Sequence, residues 1–207
     1  SQQALRIPSW IITGGIACGK STVMKRISQY LGEGAVSGFS CDEVVHLLYS
    51  EPEVIQKIVK RFGGGMLRDG SIDRVALGGL IFGDKKGRQD LEGILHPSVL
   101  KSLEVARTEA DGQASVKLFV AEVPLYHEIG STVAADHVIV VASSSDQQIR
   151  RLMHNRGLDK ARSESMVGAQ WPVLDKAAKA TKVIWNDGSE EALDDQIAFL
   201  LTAFDPT

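Results

Sequence analysis

The sequence is poor in cysteine and in surplus charge, and it contains no long apolar run. Two cysteines among 207 residues do not make a disulfide framework, which points to a reducing compartment. The 23 basic and 26 acidic residues leave no basic excess for general binding to nucleic acid. No apolar run approaches the roughly 18 residues of a membrane span, and the first residues lack the basic-then-apolar order of a signal peptide. These absences predict a soluble cytoplasmic protein without a nucleic-acid or membrane partner.

The remaining composition is that of a folded globular protein. Hydrophobic residues make up 43% and charged residues 24% of the chain, close to the globular average. A length of 207 residues exceeds one average domain without reaching two. We therefore expect one compact domain that carries an insertion. We also expect a monomer, with an oligomer left open.

Five short apolar runs alternate with segments whose apolar residues recur at helical spacing. The runs cover residues 10–13, 35–40, 116–123, 137–142 and 182–185. They are near-continuous, and most are rich in valine and isoleucine, a pattern typical of parallel strands buried on both faces. Strands that alternate with helices predict an α/β fold with a five-stranded parallel sheet and helices on both faces.

Residues 43–112 interrupt this alternation, because their apolar residues recur only at helical spacing. Pro97 is expected to be the first residue of the last long helix there, where its missing N–H costs nothing. The chain is therefore divided into a nucleotide-binding core, residues 10–42 and 113–207, and a helical insertion, residues 43–112.

A glycine-rich segment follows the first apolar run and precedes a helical pattern. It reads Gly14-Gly15-Ile16-Ala17-Cys18-Gly19-Lys20-Ser21, which satisfies G-x-x-x-x-G-K-[ST]. Such glycines let successive backbone N–H groups surround phosphate oxygens at a helix N-terminus. The lysine of the pattern reaches the β- and γ-phosphates, and the serine hydroxyl takes a Mg²⁺ position. The segment predicts a P-loop NTPase fold with a nucleoside triphosphate site; an ordinary glycine-rich turn is the alternative.

Two acidic residues follow other strands of the predicted sheet. Asp42 comes after the second run, at the strand end that faces the ligand crevice, where a carboxylate can orient an attacking hydroxyl and accept its proton. The alternative is that Asp42 only caps the next helix. Glu122 ends the third run, and its carboxylate either holds Mg²⁺ through a water near Ser21 or satisfies the next loop.

Basic residues are concentrated between positions 146 and 182. They are Arg150, Arg151, Arg156, Lys160, Arg162, Lys176, Lys179 and Lys182. Most of them are expected to lie on a solvated helix face. One or two arginines could instead stabilise the transferring phosphoryl group from a mobile segment, a lid at about residues 146–180.

Several further segments are distinctive and follow one another in a defined order. They are residues 12–16 with 19–22, 41–46, 69–70 with 72–77, 91–97, 123–125 with Glu128, Gln148 with 151–152, Gln170, and 180–188. Through these residues the chain resembles the dephospho-coenzyme A (dephospho-CoA) kinase family, from residue 11 to about residue 200.

The resemblance implies an ATP-dependent phosphotransferase that uses Mg²⁺. Its product would be CoA, formed by moving the ATP γ-phosphate to the ribose 3′-hydroxyl of dephospho-CoA. Asp42 matches the carboxylate that the family assigns to this hydroxyl, and Arg151 would meet the phosphates with a lid arginine. Thr22 and Asn186 would join the glycine-rich segment in binding ATP. In the insertion, Arg74 and His96 would form the CoA side of the cleft.

The chain also departs from the family pattern. Ser40 stands where the family usually has an acid, and without a gap the lid arginine falls on Asn155, with Arg156 one residue late. One residue along a helix turns a side chain by about 100°. Lys20, Ser21 and Asp42 are all retained, so activity is expected, and whether it is weakened is left open.

Both cysteines flank the predicted site, since Cys18 lies in the glycine-rich segment and Cys41 precedes Asp42. Two interpretations are open. Either the two cysteines are small buried side chains, or their oxidation blocks ATP binding because the loop amides favour a thiolate.

Other functions remain as alternatives. They are a P-loop kinase for another small acceptor (a nucleotide or a sugar), a nucleotide-hydrolysing switch, and an inactive relative with a structural role. The guanine-reading pattern Asn-Lys-x-Asp is absent from the sequence, which disfavours a GTP switch.

Overall fold

The computed structural model describes residues 7–128 and 133–202. Residues 129–132 and 203–207 of the predicted core lie outside the described residues. The described chain divides into two compact units. The first contains the residues up to Phe39 and those from Arg107 onward, and the second is Ser40–Ala106.

The elements follow one another along the chain with short connections. In order they are β1 (Ser9–Gly14), α1 (Lys20–Leu31), β2 (Val36–Ser40), α2 (Cys41–Leu48), α3 (Pro52–Phe62), a 3-10 turn (Gly64–Met66), β3 (Leu67–Arg68), β4 (Ser71–Ile72), α4 (Arg74–Ile81), α5 (Lys85–Asp111), β5 (Leu118–Glu122), β6 (His137–Ala142), α6 (Ser145–Arg156), α7 (Lys160–Gly168), α8 (Val173–Ala178), β7 (Lys182–Trp185) and α9 (Glu190–Thr202).

The first unit is built on a five-stranded parallel sheet with the order β2-β5-β1-β6-β7. All five predicted strands are present, so the predicted sheet is confirmed. After β1 the chain passes to β2 and β5 on one side and then to β6 and β7 on the other. The strand order therefore reverses at β1, and a ligand crevice is expected beyond its carboxyl end.

Both faces of the sheet are covered. Trp10 and Ile12 of β1 belong to a cluster of buried apolar residues that includes Val23 of α1 and Ile197 of α9. Ile11 lies between them in the strand, points to the opposite face and is also 0% exposed. This explains why the strands read as continuous apolar runs rather than as alternating ones.

The second unit has its own apolar core, formed by residues of α2 to α5 and of β4. Its buried residues are Leu48, Tyr49, Val54, Ile58, Ile72, Leu77, Leu91 and Leu95. The strands β3 and β4 form a short antiparallel hairpin that the helical spacing did not predict. Its turn contains Asp69 and Gly70, both with positive φ, as a tight hairpin requires.

The expected position of Pro97 is wrong, because this proline lies inside α5 rather than at its first residue. Its ring removes one backbone hydrogen bond from the helix. The helix nevertheless continues, since Leu91 and Leu95 before the proline and Leu103 after it are all buried. Burial on both sides outweighs the local preference of proline for a first turn.

Among the described residues, no helix combines the length and the apolar character that crossing a bilayer requires.

Candidate active site

The glycine-rich segment forms a tight loop between β1 and α1, and two of its glycines are required by geometry. Gly14 has φ 141°, and a Cβ atom there would lie 2.1 Å from the backbone oxygen of Val141. Gly19 has φ 92°, and a Cβ atom there would lie 2.5 Å from Nδ2 of Asn186. A side chain at Gly14 would therefore force β6 away from the loop, and one at Gly19 would displace the Asn186 side chain and adopt a strained φ.

The N-terminus of α1 is arranged as an anion site. Gly19 occupies the N-cap and provides no side-chain cap, and the first turn contains no acidic residue. The first backbone N–H groups of any helix lack an intrahelical partner, and the helix dipole makes this end positive. Lys20, Ser21 and Thr22, which form the first turn, therefore present a positive end to the loop, as a phosphate group requires.

Consecutive carbonyl groups of the loop accept hydrogen bonds from side chains. The donors are Lys20 Nζ to Gly15 O (2.8 Å), Gln148 Nε2 to Ile16 O (2.8 Å), Arg151 Nη1 to Ala17 O (3.0 Å) and Asn186 Nδ2 to Cys18 O (2.9 Å). Three of the four donors lie on α6 or directly after β7. The conformation of the loop is thus fixed by side chains from distant parts of the sequence.

These contacts also determine which backbone N–H groups remain for a ligand. The C=O and N–H of one peptide group point in opposite directions, so fixing the carbonyls of Ile16 and Cys18 also orients the N–H groups of Ala17 and Gly19. The N–H of Ile16 donates to Gln170 Oε1 (2.8 Å), and that of Cys18 donates to Gly15 O (3.3 Å). The amides of Ile16 and Cys18, both predicted to bind phosphate, are therefore engaged within the protein.

The structure brings the two predicted metal residues together. The Ser21 hydroxyl donates to the Glu122 carboxylate, with distances of 3.2 and 3.4 Å to its two oxygens. Glu122 ends β5 and is 7% exposed. Within the described ranges, no group of three or more histidine, cysteine or acidic side chains could hold a metal.

A cavity of about 420 Å³ adjoins the loop. Its lining residues are Ala17, Gly19, Thr22, Arg26, Arg151, Asn155, Arg156, Asn186, Gly188, Glu190 and Leu193. The volume lies in the range of small-molecule sites. Arg26 of α1 is ion-paired with Asp194 of α9 beside this cavity.

Arg151, predicted to be catalytic, is held by oxygen atoms of the protein. Its Nη1 donates to Ala17 O and to Ser143 Oγ (2.9 Å), and its Nη2 donates to Asn186 O (2.6 Å). These contacts connect the loop to the ends of β6 and β7. The position of Arg151 supports a role in shaping the loop, and direct contact with a phosphate stays a prediction.

Comparison with known proteins identifies the family. The model of the dephospho-CoA kinase family matches residues 10–192. The chain is 35% identical to dephospho-CoA kinase from Geobacillus kaustophilus over 94% of this chain and 95% of that protein. This chain belongs to the dephospho-CoA kinase family.

Two further relatives are similar over most of their length. Dephospho-CoA kinase from Geobacter sulfurreducens is 38% identical over 90% of this chain and 93% of that protein. The crystal structure of TT1252 from Thermus thermophilus is 27% identical, with a TM-score of 0.75 over 96% of this chain and 98% of that chain. The resemblance to the dephospho-CoA kinase family is therefore confirmed.

Ser40, which replaces a usual acid of the dephospho-CoA kinase family, has a structural role. It is the N-cap of α2, and its hydroxyl accepts from the N–H of Glu43 (3.4 Å). Asp42 lies in the first turn of this helix and is exposed. The alternative in which Asp42 caps α2 is therefore wrong, because Ser40 occupies that position.

Arg156, the displaced arginine of the predicted lid, lines the same cavity as the loop. Asn155 and Arg156 are the last residues of α6, and both line the cavity. The one-residue shift from the family pattern therefore does not remove Arg156 from the cavity wall.

The predicted substrate residues lie in the second unit. Arg74 begins α4, donates to Nδ1 of His46 (3.1 Å) and lies over the ring of Tyr49, with 5.9 Å to its centroid. The Nε2 atom of His96 is buried and has no hydrogen-bond partner among the described residues. Contact of His96 Nε2 with a substrate therefore requires the side chain to move.

The surroundings of Cys18 disfavour the thiolate on which the oxidation interpretation depends. Cys18 is 0% exposed, and its burial raises the pKa of the thiol more than the neighbouring Lys20 lowers it. Both cysteines are buried and outside any disulfide. The structure therefore agrees with the interpretation of Cys18 as a small buried side chain.

Sequence reasoning missed the loop-holding roles of Gln148 and Gln170. Both residues belong to the segments that resemble the dephospho-CoA kinase family, which was the available signal. Their role could not be assigned because glutamine at a helix or turn position has no chemical preference for one distant carbonyl or amide.

Proposed function

We propose that this chain catalyses the ATP-dependent phosphorylation of the ribose 3′-hydroxyl of dephospho-CoA, giving CoA and ADP. The observation that carries the proposal is the loop before α1, whose carbonyl groups accept hydrogen bonds from side chains of the protein. This loop lies within residues 10–192, which match the family model. A loop held before the ligand arrives needs little reorganisation on binding, which favours affinity and electrostatic catalysis.

The loop and the first turn of α1 bind the ATP phosphates. The N–H groups of Ala17 and Gly19, with those of the first turn of α1, donate to phosphate oxygens. Lys20, whose ammonium contacts Gly15 O, exchanges that carbonyl for the β- and γ-phosphates. Arg156, on the cavity wall, is proposed to stabilise charge on the transferring group, and Arg151 is proposed to hold the loop that binds the phosphates.

Ser21 and Glu122 would hold Mg²⁺. This ion keeps several waters and takes only one or two protein carboxylates beside substrate phosphates, so a hydroxyl and a carboxylate 3.2 Å apart fit its coordination. When bound, the ion neutralises charge on the phosphates.

Asp42 is proposed to accept the proton of the ribose hydroxyl. Its carboxylate is exposed in the first turn of α2, and β2 ends directly before that helix. The carboxyl end of β2 lies on the same edge of the parallel sheet as the end of β1, which leads into the phosphate loop. Arg74 and His96 are proposed to bind the CoA side of the acceptor.

A coupled assay of ADP release tests this proposal. Purified protein with Mg²⁺ and either ATP or GTP is supplied with dephospho-CoA, AMP, a sugar or no acceptor. We expect ADP release that depends on ATP and dephospho-CoA, disappears in Lys20→Ala and falls steeply in Asp42→Asn. Turnover that is equal without an acceptor would instead support a nucleotide-hydrolysing switch, and turnover with AMP or a sugar alone would support a kinase for another acceptor.

A further inference from the structure

A fully buried lysine connects α8 to the phosphate loop. Lys176 is 0% exposed, and its ammonium donates to the backbone oxygens of Gly14 (3.2 Å) and Pro124 (3.1 Å). It also forms an ion pair with Glu128, with 2.7 Å between Nζ and Oε1. Lys176 is one of the cations predicted to lie mostly on a solvated helix face, so its burial is unexpected.

The buried pair is costly for the fold. Removing a charge from water costs several kcal/mol, and a buried ion pair is often no more stabilising than apolar residues of the same size. Glu128 Oε1 also accepts from the N–H of Trp171 (3.1 Å), but Oε2 is buried and has no hydrogen-bond partner among the described residues. A pair that is incompletely satisfied in this way is poorly explained by stability alone.

The contact with Gly14 gives the lysine a direct effect on the loop. Gly14 is the last residue of β1, and its carbonyl shares a peptide group with the N–H of Gly15. Because that peptide group is planar, a donor that fixes the carbonyl also fixes the N–H. Lys176 thereby sets the direction in which the chain leaves β1.

The contact with Pro124 gives a second fixed point. The Pro124 oxygen also accepts from the hydroxyl of Thr13, 3.2 Å away, so this oxygen is shared between β1 and α8. Glu122, the proposed metal residue, lies two positions before Pro124. The ammonium therefore connects the strand before the loop with the segment that follows β5.

We propose that Lys176 is a positioning residue for ATP binding, which holds the first peptide group of the phosphate loop while Glu128 keeps its ammonium in place. The proposal rests on the proposed function, in which ATP is the phosphoryl donor. Gln170, which binds the N–H of Ile16 from the turn before α8, acts on the next peptide group of the loop. The turn and helix at residues 170–178 therefore contact two successive peptide groups of the loop.

The test separates positioning from stability by two variants. Lys176→Met removes the ammonium and leaves the largely buried Glu128 carboxylate without its ion-pair partner, which lowers stability. The double variant Lys176→Met/Glu128→Gln removes both charges, so it regains stability, but it still lacks a donor for the Gly14 carbonyl. Lys160→Met is the matched control, because this lysine of α7 lies in the same predicted lid and its side chain is 72% exposed.

The dissociation constant of ATP is measured by calorimetry without acceptor, together with urea unfolding and the KM of dephospho-CoA. We expect the double variant to unfold near the wild-type urea concentration and its ATP dissociation constant to rise about tenfold or more, the effect of losing one charged hydrogen bond. The KM of dephospho-CoA stays within about twofold, and Lys160→Met binds ATP as the wild type does.

The proposal is overturned if the double variant regains ATP affinity together with stability, or if the KM of dephospho-CoA rises as much as the ATP constant. It is equally overturned if the double variant does not fold, since Lys176 would then act through stability alone. A wild-type protein that does not bind ATP would refute the proposed function instead, and that result is visible before any variant is made.

Discussion

Replacing Arg151 by methionine tests whether this residue shapes the loop or acts on the phosphoryl group. Methionine keeps most of the apolar length of the side chain and removes its three hydrogen bonds to Ala17 O, Ser143 Oγ and Asn186 O. Only the bond to Ala17 acts directly on the loop, and the other two anchor the guanidinium. Asn186 O retains the hydroxyl of Ser143 as a donor, at 2.9 Å.

The expected magnitude follows from that single loop contact. A hydrogen bond from a charged donor contributes about 1.5–3 kcal/mol, which corresponds to a rise of about ten- to hundredfold in the ATP dissociation constant. Arg151→Lys should fall between the wild type and Arg151→Met, because an ammonium is a compact donor that does not reproduce the fork of the guanidinium.

Calorimetric titration with ATP and steady-state kinetics provide the measurement, and Arg150→Met is the control. Arg150 precedes Arg151 on α6 and is exposed, so its replacement should leave ATP binding unchanged. If Arg151→Met bound ATP normally and lost only kcat, the loop-shaping argument would be refuted. Arg151 would then act on the transferring group itself.

Three further changes have defined outcomes. Gly14→Ala should lower the free energy of unfolding by about 3 kcal/mol or more in urea titrations, because the added Cβ meets the backbone of Val141 at 2.1 Å. Its control is Gly79→Ala, in open space on α4, which should raise the free energy of unfolding by about 0.5–1 kcal/mol. Ser40→Ala should lower the free energy of unfolding by about 0.5–1 kcal/mol because α2 loses its N-cap, whereas Ser40→Asp should leave it unchanged in the same titration. An equal decrease in both variants would exclude a capping role for Ser40. Cys18 should react slowly with a thiol reagent at neutral pH in the native protein and rapidly in urea, and fast native labelling would contradict its burial and raised pKa.

The sheet and the phosphate loop could be predicted because each depends on local sequence. A strand buried on both faces must be apolar at nearly every position, as β5 and β6 are, and the loop has glycine at positions 14 and 19, where φ is positive and a Cβ atom would meet a neighbour. The proximity of Ser21 and Glu122 followed from the same reasoning, since both lie at the carboxyl edge of a parallel sheet.

The supports of the loop could not be predicted, because they depend on tertiary contacts. Lys176 is one of several cations in a charged segment, and nothing in its local sequence distinguishes a buried ammonium from a solvated one. The position of Pro97 was predicted wrongly and the β3–β4 hairpin was not predicted, for a related reason. There, the burial of neighbouring residues and a two-residue turn decided the backbone conformation against the simplest periodic pattern.

The side chains that hold the phosphate loop also determine when during folding the loop can work. Asn186 reaches Cys18 across 168 positions of sequence, and Lys176 reaches Gly14 across 162. During synthesis the loop leaves the ribosome well before Asn186, its last donor, which follows Cys18 by 168 positions. We therefore expect nucleotide binding only after β6 and β7 have joined the sheet and α8 has packed beside the loop, so that ATP would stabilise the completed fold rather than a partly folded precursor.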